Sequence, residues 1–257
     1  PENCRWQVIR HWPSGVSGSR VTWPETRPEM PMPPSRRLAV LVSHGQPSAP
    51  EPPEAQLAEL ATAAARCLPG WEVRSATLST PGRLEQQAAD GALIYPFFMA
   101  RGWFTGRVLP QRLAGLDCTT ACPFGLDPGL PELAAAAVKQ ELLARGWHSG
   151  PSGLLLAAHG SARGPKAAEA AEAFAAALAP ALPGIEIRCG YVEQVPGIAA
   201  SARALPARTL CLPFFAQSGD HVADDIPAAL AEVRFDGGLL PVAGALPGVM
   251  RVQGLLW

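Results

Sequence analysis

The sequence of 257 residues lacks the features that mark several classes of protein. It contains no apolar stretch approaching the roughly 20 residues that a membrane-spanning helix needs. Lys and Arg number 21 against 22 Asp and Glu, with no basic run, which argues against a nucleic-acid surface. No signal-peptide pattern opens the chain. We therefore expect a cytoplasmic protein with neither nucleic-acid nor membrane partners.

Cysteine is also sparse and scattered. Only Cys118 and Cys122 are closely spaced, and a zinc or iron–sulfur site would need more ligands than this pair supplies. The pattern favours buried structural thiols in a reducing compartment. The six cysteines are Cys4, Cys67, Cys118, Cys122, Cys189 and Cys211.

Residues 1–37 differ in composition from the rest of the chain. They hold seven prolines and three tryptophans and show no periodic apolar pattern. We expect a flexible Pro-rich arm, the alternative being an ordered arm whose tryptophans pack on the domains or on a partner. The remaining sequence is rich in apolar residues, and the whole chain is 48% hydrophobic with a net charge of −1, as in globular proteins with an ample core.

Short apolar runs alternate with Ala- and Leu-rich helical segments from residue 38 onward. The predicted strands are 38–43, 72–78, 92–98, about 118–122, 154–158, 185–192, 208–215 and about 239–243. The predicted helices are 54–68, 132–145, 165–179 and 223–233. Near-continuous apolar strands that alternate with helices indicate parallel sheets covered on both faces.

The second half of the chain repeats the first. Residues 38–45 read LAVLVSHG and residues 153–160 read GLLLAAHG, while YPFF at 95–98 is matched by LPFF at 212–215. Because the repeat covers a whole unit, we predict an α/β protein of two tandem doubly wound lobes, 38–150 and 151–257, with a central cleft.

Three polar side chains follow successive predicted strands of the second half. His159 ends the first strand, Glu193 follows the second, and His221 lies in a predicted loop after the third. Ligands of open parallel sheets bind beyond the carboxyl ends of the strands, so these side chains are expected to converge. The first half offers only His44, with Ser79 or Leu78 at the second position and Phe104 at the third.

Two imidazoles and a carboxylate suit a divalent cation such as Fe²⁺, Co²⁺ or Zn²⁺. They also suit proton abstraction near neutral pH. A reaction that needs both is insertion of a metal into a macrocycle, in which two N–H protons leave as one cation enters. Asp220, Asp224 and Asp225 would add negative potential, although Asp224 and Asp225 also suit a helix start.

These motifs resemble those of the sirohydrochlorin chelatases of the CbiX/SirB type, the ATP-independent class II chelatases. The resemblance spans about residues 38–257. It is carried by AAHGS at 157–161, by Glu193 followed by Pro196, and by PFF at 213–215 leading to GDHVADDIP at 219–227.

The resemblance implies two lobes around a tetrapyrrole cleft and insertion of Fe²⁺ or Co²⁺ into sirohydrochlorin without a nucleotide or resident cofactor. His159 and His221 would bind the metal and take up pyrrole protons, with Glu193 as ligand or base. The first lobe departs from the pattern at Phe104 and lacks the carboxylate, so the working site is expected in the second lobe. The candidate substrate-binding residues of the first lobe are Arg101, Trp103, Phe104, Arg107 and His44.

Iron, and hence siroheme formation, is favoured because the chain has no His-rich tract; a cobaltochelatase of cobalamin biosynthesis is the alternative. A non-catalytic carrier of tetrapyrrole or metal is an alternative of another class. Histidine phosphatases also place a histidine after a first strand, but they need an arginine directly before it, where this chain has Ser43 and Ala158. Two lobes in one chain form a cleft without a partner, so we expect a monomer.

Overall fold

The computed structural model describes residues 37–147, 149–162, 164–246 and 249. Within these residues, eight strands form two four-stranded parallel sheets. The first sheet has the order β2-β1-β3-β4, with β1 Arg37–Ser43, β2 Trp71–Thr77, β3 Leu93–Pro96 and β4 Thr119–Thr120. The second has the order β6-β5-β7-β8, with β5 Ser152–Ala158, β6 Ile185–Tyr191, β7 Thr209–Pro213 and β8 Gly238–Leu239.

Helices connect the strands. The described α-helices are α1 Glu51–Cys67, α2 Arg83–Gln87, α3 Leu109–Arg112, α4 Leu130–Ala144, α5 Lys166–Leu178, α6 Ile198–Arg203 and α7 Ile226–Glu232. The four predicted helices are present, but α2, α3 and α6 are too short to give a periodic signal. The helix predicted at 223–233 differs in its start, because α7 is preceded by a π-helical turn, His221–Asp225. An equivalent turn, Phe104–Val108, precedes α3.

The core passes through both halves of the chain. The central strand β5 is buried at all seven positions, as its apolar sequence requires when helices cover both faces of a sheet. One continuous cluster of buried side chains includes Leu41 and Phe124 of the first half with Leu156 and Phe214 of the second. The described residues from Arg37 onward form a single compact unit.

The predicted fold class, two tandem α/β lobes with parallel sheets, is confirmed. The arm predicted over residues 1–37 lies outside the described residues except for Arg37, which begins β1. None of the described helices has the length and apolar character that crossing a membrane requires.

Candidate metal and macrocycle site

The three predicted site residues lie at the carboxyl edge of the second sheet. His159 directly follows β5, Glu193 lies two residues after β6, and His221 begins the π-helical turn that leads into α7. The backbone N–H of Glu193 donates to the carbonyl of His159 at 2.9 Å, which ties the two segments together. The sheet topology therefore brings residues 62 positions apart in sequence to one edge, as parallel sheets do at ligand sites.

A glycine makes the turn after His159 possible. Gly160 has a φ of +69°, and a Cβ at this position would come within 2.7 Å of the Gln194 side chain. The chain can thus turn sharply beside Gln194, whose Oε1 accepts a hydrogen bond from the Ser161 N–H at 2.8 Å. This turn holds the His159 ring at the edge of the sheet.

His159, Glu193 and His221 form a compact group of potential metal ligands. One ligand atom of each lies within 4.8 Å of the others. The His159 Nδ1 is 3.7 Å from the Glu193 Oε2, and the two imidazole centroids are 4.5 Å apart at an angle of 86°. All three side chains are at least partly exposed. The arrangement is a two-histidine, one-carboxylate set that can hold a divalent cation and keep further coordination positions open.

Hydrogen bonds at Nδ1 determine which nitrogen of each ring is available. His221 donates through Nδ1–H to the Asp225 Oδ2 at 2.6 Å, one turn along the π-helical segment. His159 donates through Nδ1–H to the Gly160 carbonyl at 3.0 Å. Because Nδ1 carries the proton in both rings, Nε2 retains its lone pair for a cation or a proton.

The first lobe repeats this geometry without the ligands. Phe104 occupies the place of His221: its ring lies 4.3 Å from that of His44, against 4.5 Å for the histidine pair of the second lobe. The N–H of Ser79 donates to the His44 carbonyl at 2.9 Å, as Glu193 does to His159. Of the two residues considered from the sequence, Ser79 is therefore the counterpart of Glu193, and Leu78 is not.

A cavity of about 450 Å³ lies where the carboxyl edges of the two sheets face each other. His44 and Phe104 line it from the first half and His159 from the second. Most of its wall is apolar, with aromatic rings supplied by Phe97, Phe98, Phe214 and Phe215. The cavity is therefore lined by one histidine of each lobe. These are His159 of the second-lobe ligand set and His44 of the first lobe, which lacks the other two ligands and is called the degenerate lobe below.

The other three candidate substrate-binding residues do not line the cavity. Trp103 is 64% exposed and its ring contacts Phe104 at 5.1 Å. Arg107 is exposed in the same π-helical turn, and the exposed Arg101 donates through Nη2 to the Cys122 Sγ at 3.4 Å. These side chains flank Phe104 on the surface, so only a ligand that extends beyond the cavity can reach them.

Two side-chain contacts that link the halves were not predicted. Gln46 Nε2 donates to the Asp220 Oδ2 at 2.8 Å, and Gln217 Nε2 donates to the Pro53 carbonyl at 3.0 Å. Gln46 directly follows His44 and Gly45, and this position is the only feature of the sequence that could have pointed to its contact. The specific role of Asp225 was also missed, since a histidine and an aspartate four residues apart are commonly read as helix-start residues.

Comparison with known proteins gives consistent matches. The family model described as CbiX matches residues 153–240. A solved structure of CbiX, described as the terminal enzyme for biosynthesis of siroheme in denitrifying bacteria, is 45% identical, with a TM-score of 0.77 over 84% of this chain and 96% of that one. Among curated proteins, none matches the chain.

More distant structures share the fold. The multi-domain protein DR2241 from Deinococcus radiodurans, which has structural similarity to chelatases, is 23% identical over 86% of this chain and 54% of that one, with a TM-score of 0.66. SirB from Bacillus subtilis with Fe³⁺ is 14% identical over 86% and 93% of the two chains, also with a TM-score of 0.66. At these identities the likeness extends to the fold alone.

Proposed function

The chain belongs to the CbiX family of metal chelatases, and from that premise we propose that it inserts Fe²⁺ into sirohydrochlorin, without a nucleotide, to give siroheme. The observation that carries the proposal is the His159–Glu193–His221 set beside an apolar cavity between two sheets. Insertion of a metal into a macrocycle requires ligands for the cation and an apolar space for the ring, besides a group that takes up the displaced protons.

The ligand set supports capture of the metal. Two imidazoles with free Nε2 atoms and one carboxylate match the donor set that holds Fe²⁺ with open coordination positions in other proteins. Partial exposure of all three side chains lets a hydrated cation exchange its waters for protein ligands. The cation is a substrate, so it must also leave, and a three-ligand set with open positions permits transfer to pyrrole nitrogens.

The choice of iron over cobalt rests on the relative described as an enzyme of siroheme biosynthesis, which is 45% identical. A structure of SirB from Bacillus subtilis in complex with cobalt shares 14% identity and so shows the fold alone. The ligands themselves accept both ions. We place the reaction in the cytoplasm and expect a monomer, because one chain supplies both walls of the cavity.

Insertion is tested by following the absorbance change of sirohydrochlorin anaerobically with Fe²⁺ or Co²⁺, for the wild type, His159→Ala and His221→Ala. We expect many turnovers per wild-type chain and a rate lower by about 100-fold in each variant, because each variant lacks one metal ligand. Equal rates in all three proteins would overturn the mechanism. Binding of sirohydrochlorin and metal without turnover would identify a carrier instead.

The metal is assigned by complementation of a siroheme-deficient strain beside a strain blocked in cobalt insertion. Rescue of the first strain at native expression supports the iron enzyme. Rescue of the second strain alone would assign the protein to cobalamin biosynthesis.

The exposed arginines of the first lobe are proposed to bind the carboxylates of the macrocycle outside the cavity. Surface ion pairs contribute up to about 1 kcal/mol each, so Arg101→Ala combined with Arg107→Ala should weaken sirohydrochlorin binding about tenfold. The affinity for Co²⁺ should not change, because neither guanidinium belongs to the ligand set. Fluorescence titration of sirohydrochlorin measures the effect, and an unchanged affinity would remove both residues from the substrate site.

A further inference from the structure

We propose that His44 of the degenerate lobe accepts a pyrrole proton from the side of the cavity opposite the metal ligands. The proposal rests on the proposed function and concerns where the two protons displaced by the metal go. It assigns a chemical role to the first lobe, whose described residues include no group of three potential metal ligands.

Coordination removes the second lobe's imidazoles from proton transfer. His159 and His221 each donate Nδ1–H to a neighbouring oxygen, so Nε2 is the only basic atom of either ring. A lone pair that binds the cation cannot accept a proton at the same time. Two protons must leave for each dication that enters, so the reaction needs a base outside the ligand set.

His44 has the required free base. Its Nδ1–H donates to the Gly45 carbonyl at 2.7 Å, which leaves the Nε2 lone pair unused. The ring lies against Phe104 rather than against a second ligand, so the first lobe cannot sequester this lone pair in a metal complex. Among the described residues that line the cavity, the only titratable side chains are His44 and His159.

A second polar group stands beside it on the same wall. Ser43 is 2% exposed and lines the cavity, and its Oγ makes no hydrogen bond within the described protein. Its counterpart in the second sheet is Ala158, the residue before His159. Buried hydroxyls are nearly always paired, so an unpaired hydroxyl next to His44 indicates that this wall receives a polar group of a ligand or a water.

The proton balance is complete without a further reactant. Two pyrrole N–H bonds break as the dication binds the macrocycle nitrogens. The two protons pass in turn to the Nε2 of His44, which becomes an imidazolium and releases the first proton to solvent before it accepts the second. The His44 side chain is exposed to that solvent, and no oxidant or reductant takes part.

The test separates proton transfer from binding in His44→Ala and His44→Asn. We expect kcat for Co²⁺ insertion to fall about 100-fold or more, which is the scale of general base catalysis. Affinity for Co²⁺, measured by titration of the protein alone, should stay within twofold of the wild type, and any loss of sirohydrochlorin affinity should be much smaller than the loss of kcat. His159→Ala is the contrasting variant, because it should lose Co²⁺ binding. Added imidazole should restore part of the rate of His44→Ala, with the wild type in the same buffer as control.

The outcomes distinguish this inference from the proposed function. If the wild type does not insert metal, the proposed function fails. If the wild type inserts metal and His44→Ala keeps its kcat, the role of His44 is refuted while the proposed function stands. A loss confined to sirohydrochlorin affinity, or a kcat that imidazole does not restore in either variant, would make His44 a binding residue and overturn the inference.

Discussion

Single hydrogen bonds determine how the site histidines can act. Each ring donates Nδ1–H to a fixed oxygen, which is a backbone carbonyl for His44 and His159 and the Asp225 carboxylate for His221. The carboxylate is the stronger partner, because a charged acceptor both orients the ring and raises the basicity of its other nitrogen. Under the proposed function, Asp225 would position His221 for metal capture.

Asp225→Asn should weaken Co²⁺ binding about 10- to 100-fold, since the partner of a ligating histidine controls metal affinity on this scale. Titration of the protein with Co²⁺ measures the change. Asp224→Asn is the matched control, because it removes the same charge from an adjacent carboxylate that makes no hydrogen bond among the described residues. An equal loss in both variants would mean that Asp225 acts only through its charge.

Burial makes some of the cysteines unreactive. Cys211 is fully buried in β7, and desolvation raises the pKa of its thiol well above the usual range. Burial likewise raises the pKa values of Cys118 and Cys189. A raised pKa lowers the thiolate fraction of these three thiols at neutral pH and so makes them less reactive.

At the scale of elements, the π-helical turns decide what each lobe can bind. The turn His221–Asp225 places the His221 ring beside His159. The turn Phe104–Val108 places the Phe104 ring beside His44 in the equivalent position. Phe98 and Phe215 lie behind these rings at 6.2 and 6.3 Å. The backbone that carries the potential ligand set is therefore present in both lobes, and the side chains at these positions differ.

Restoring the two lost ligands should create a second metal site. In Ser79→Glu with Phe104→His, we expect two Co²⁺ ions per chain, against one in the wild type. Each single variant should stay at one, because two ligands hold a borderline cation weakly. Metal analysis after gel filtration gives the ratio. A ratio of one in the folded double variant would show that the turns of the two lobes are not equivalent.

An ion pair links α2 and α3, two short helices of the first lobe. Arg112 of α3 contacts both carboxylate oxygens of Glu85 in α2 at 2.6 Å, and its hydrogen bond lowers the pKa of that carboxyl from the ordinary value of 4.5. A lowered pKa in the folded state means that the stabilisation is present above pH 4.5 and is lost as the pH falls through the folded value.

Glu85→Gln should accordingly reduce the free energy of unfolding at pH 7 by less than about 1 kcal/mol, because the pair is partly exposed. The difference from the wild type should vanish in acid, below the pKa of the folded carboxyl. Urea unfolding at both pH values measures it. A difference that persists in acid would assign the effect to packing instead of charge.

Most of the fold and of the ligand set followed from the sequence because both depend on local patterns. Long apolar strands and Ala-rich helices are visible as runs, and the strand-end rule brought His159, Glu193 and His221 together. The sequence gives no comparable sign of the π-helical turns, because the wider turn of a π-helix requires no particular amino-acid composition. Whether Ser79 or Leu78 is the counterpart of Glu193 depends on the register of the strands. Only the hydrogen bonds between strands show that register.

At the scale of the whole molecule, the shared core couples the lobes. Phe124 of the first half is completely buried and packs on Phe97 with ring centroids 4.7 Å apart, in the same cluster as residues of β5 and β7. A substitution that leaves a cavity in the first half therefore removes contacts that also stabilise the second sheet. The lobe that lacks the ligand set still supports the lobe that has it.

Phe124→Ala should lower the free energy of unfolding by about 3–5 kcal/mol, the usual cost of such a cavity. Calorimetry should show a single transition in the wild type and in the variant, with Co²⁺ binding lost at the same temperature. Two separate transitions, or a metal site that outlasts the melting of the first lobe, would show that the halves unfold independently.

The replacement of one histidine by Phe104 also has a stereochemical consequence. Two equal lobes would present the same groups to both faces of a flat substrate, and a macrocycle bound upside down would react equally well. Under the proposed function, ligands on one side and a phenyl ring on the other would let the cation approach from one face only. For a macrocycle whose faces differ, the inverted orientation would be unproductive, so the unequal lobes would impose facial selectivity on the reaction.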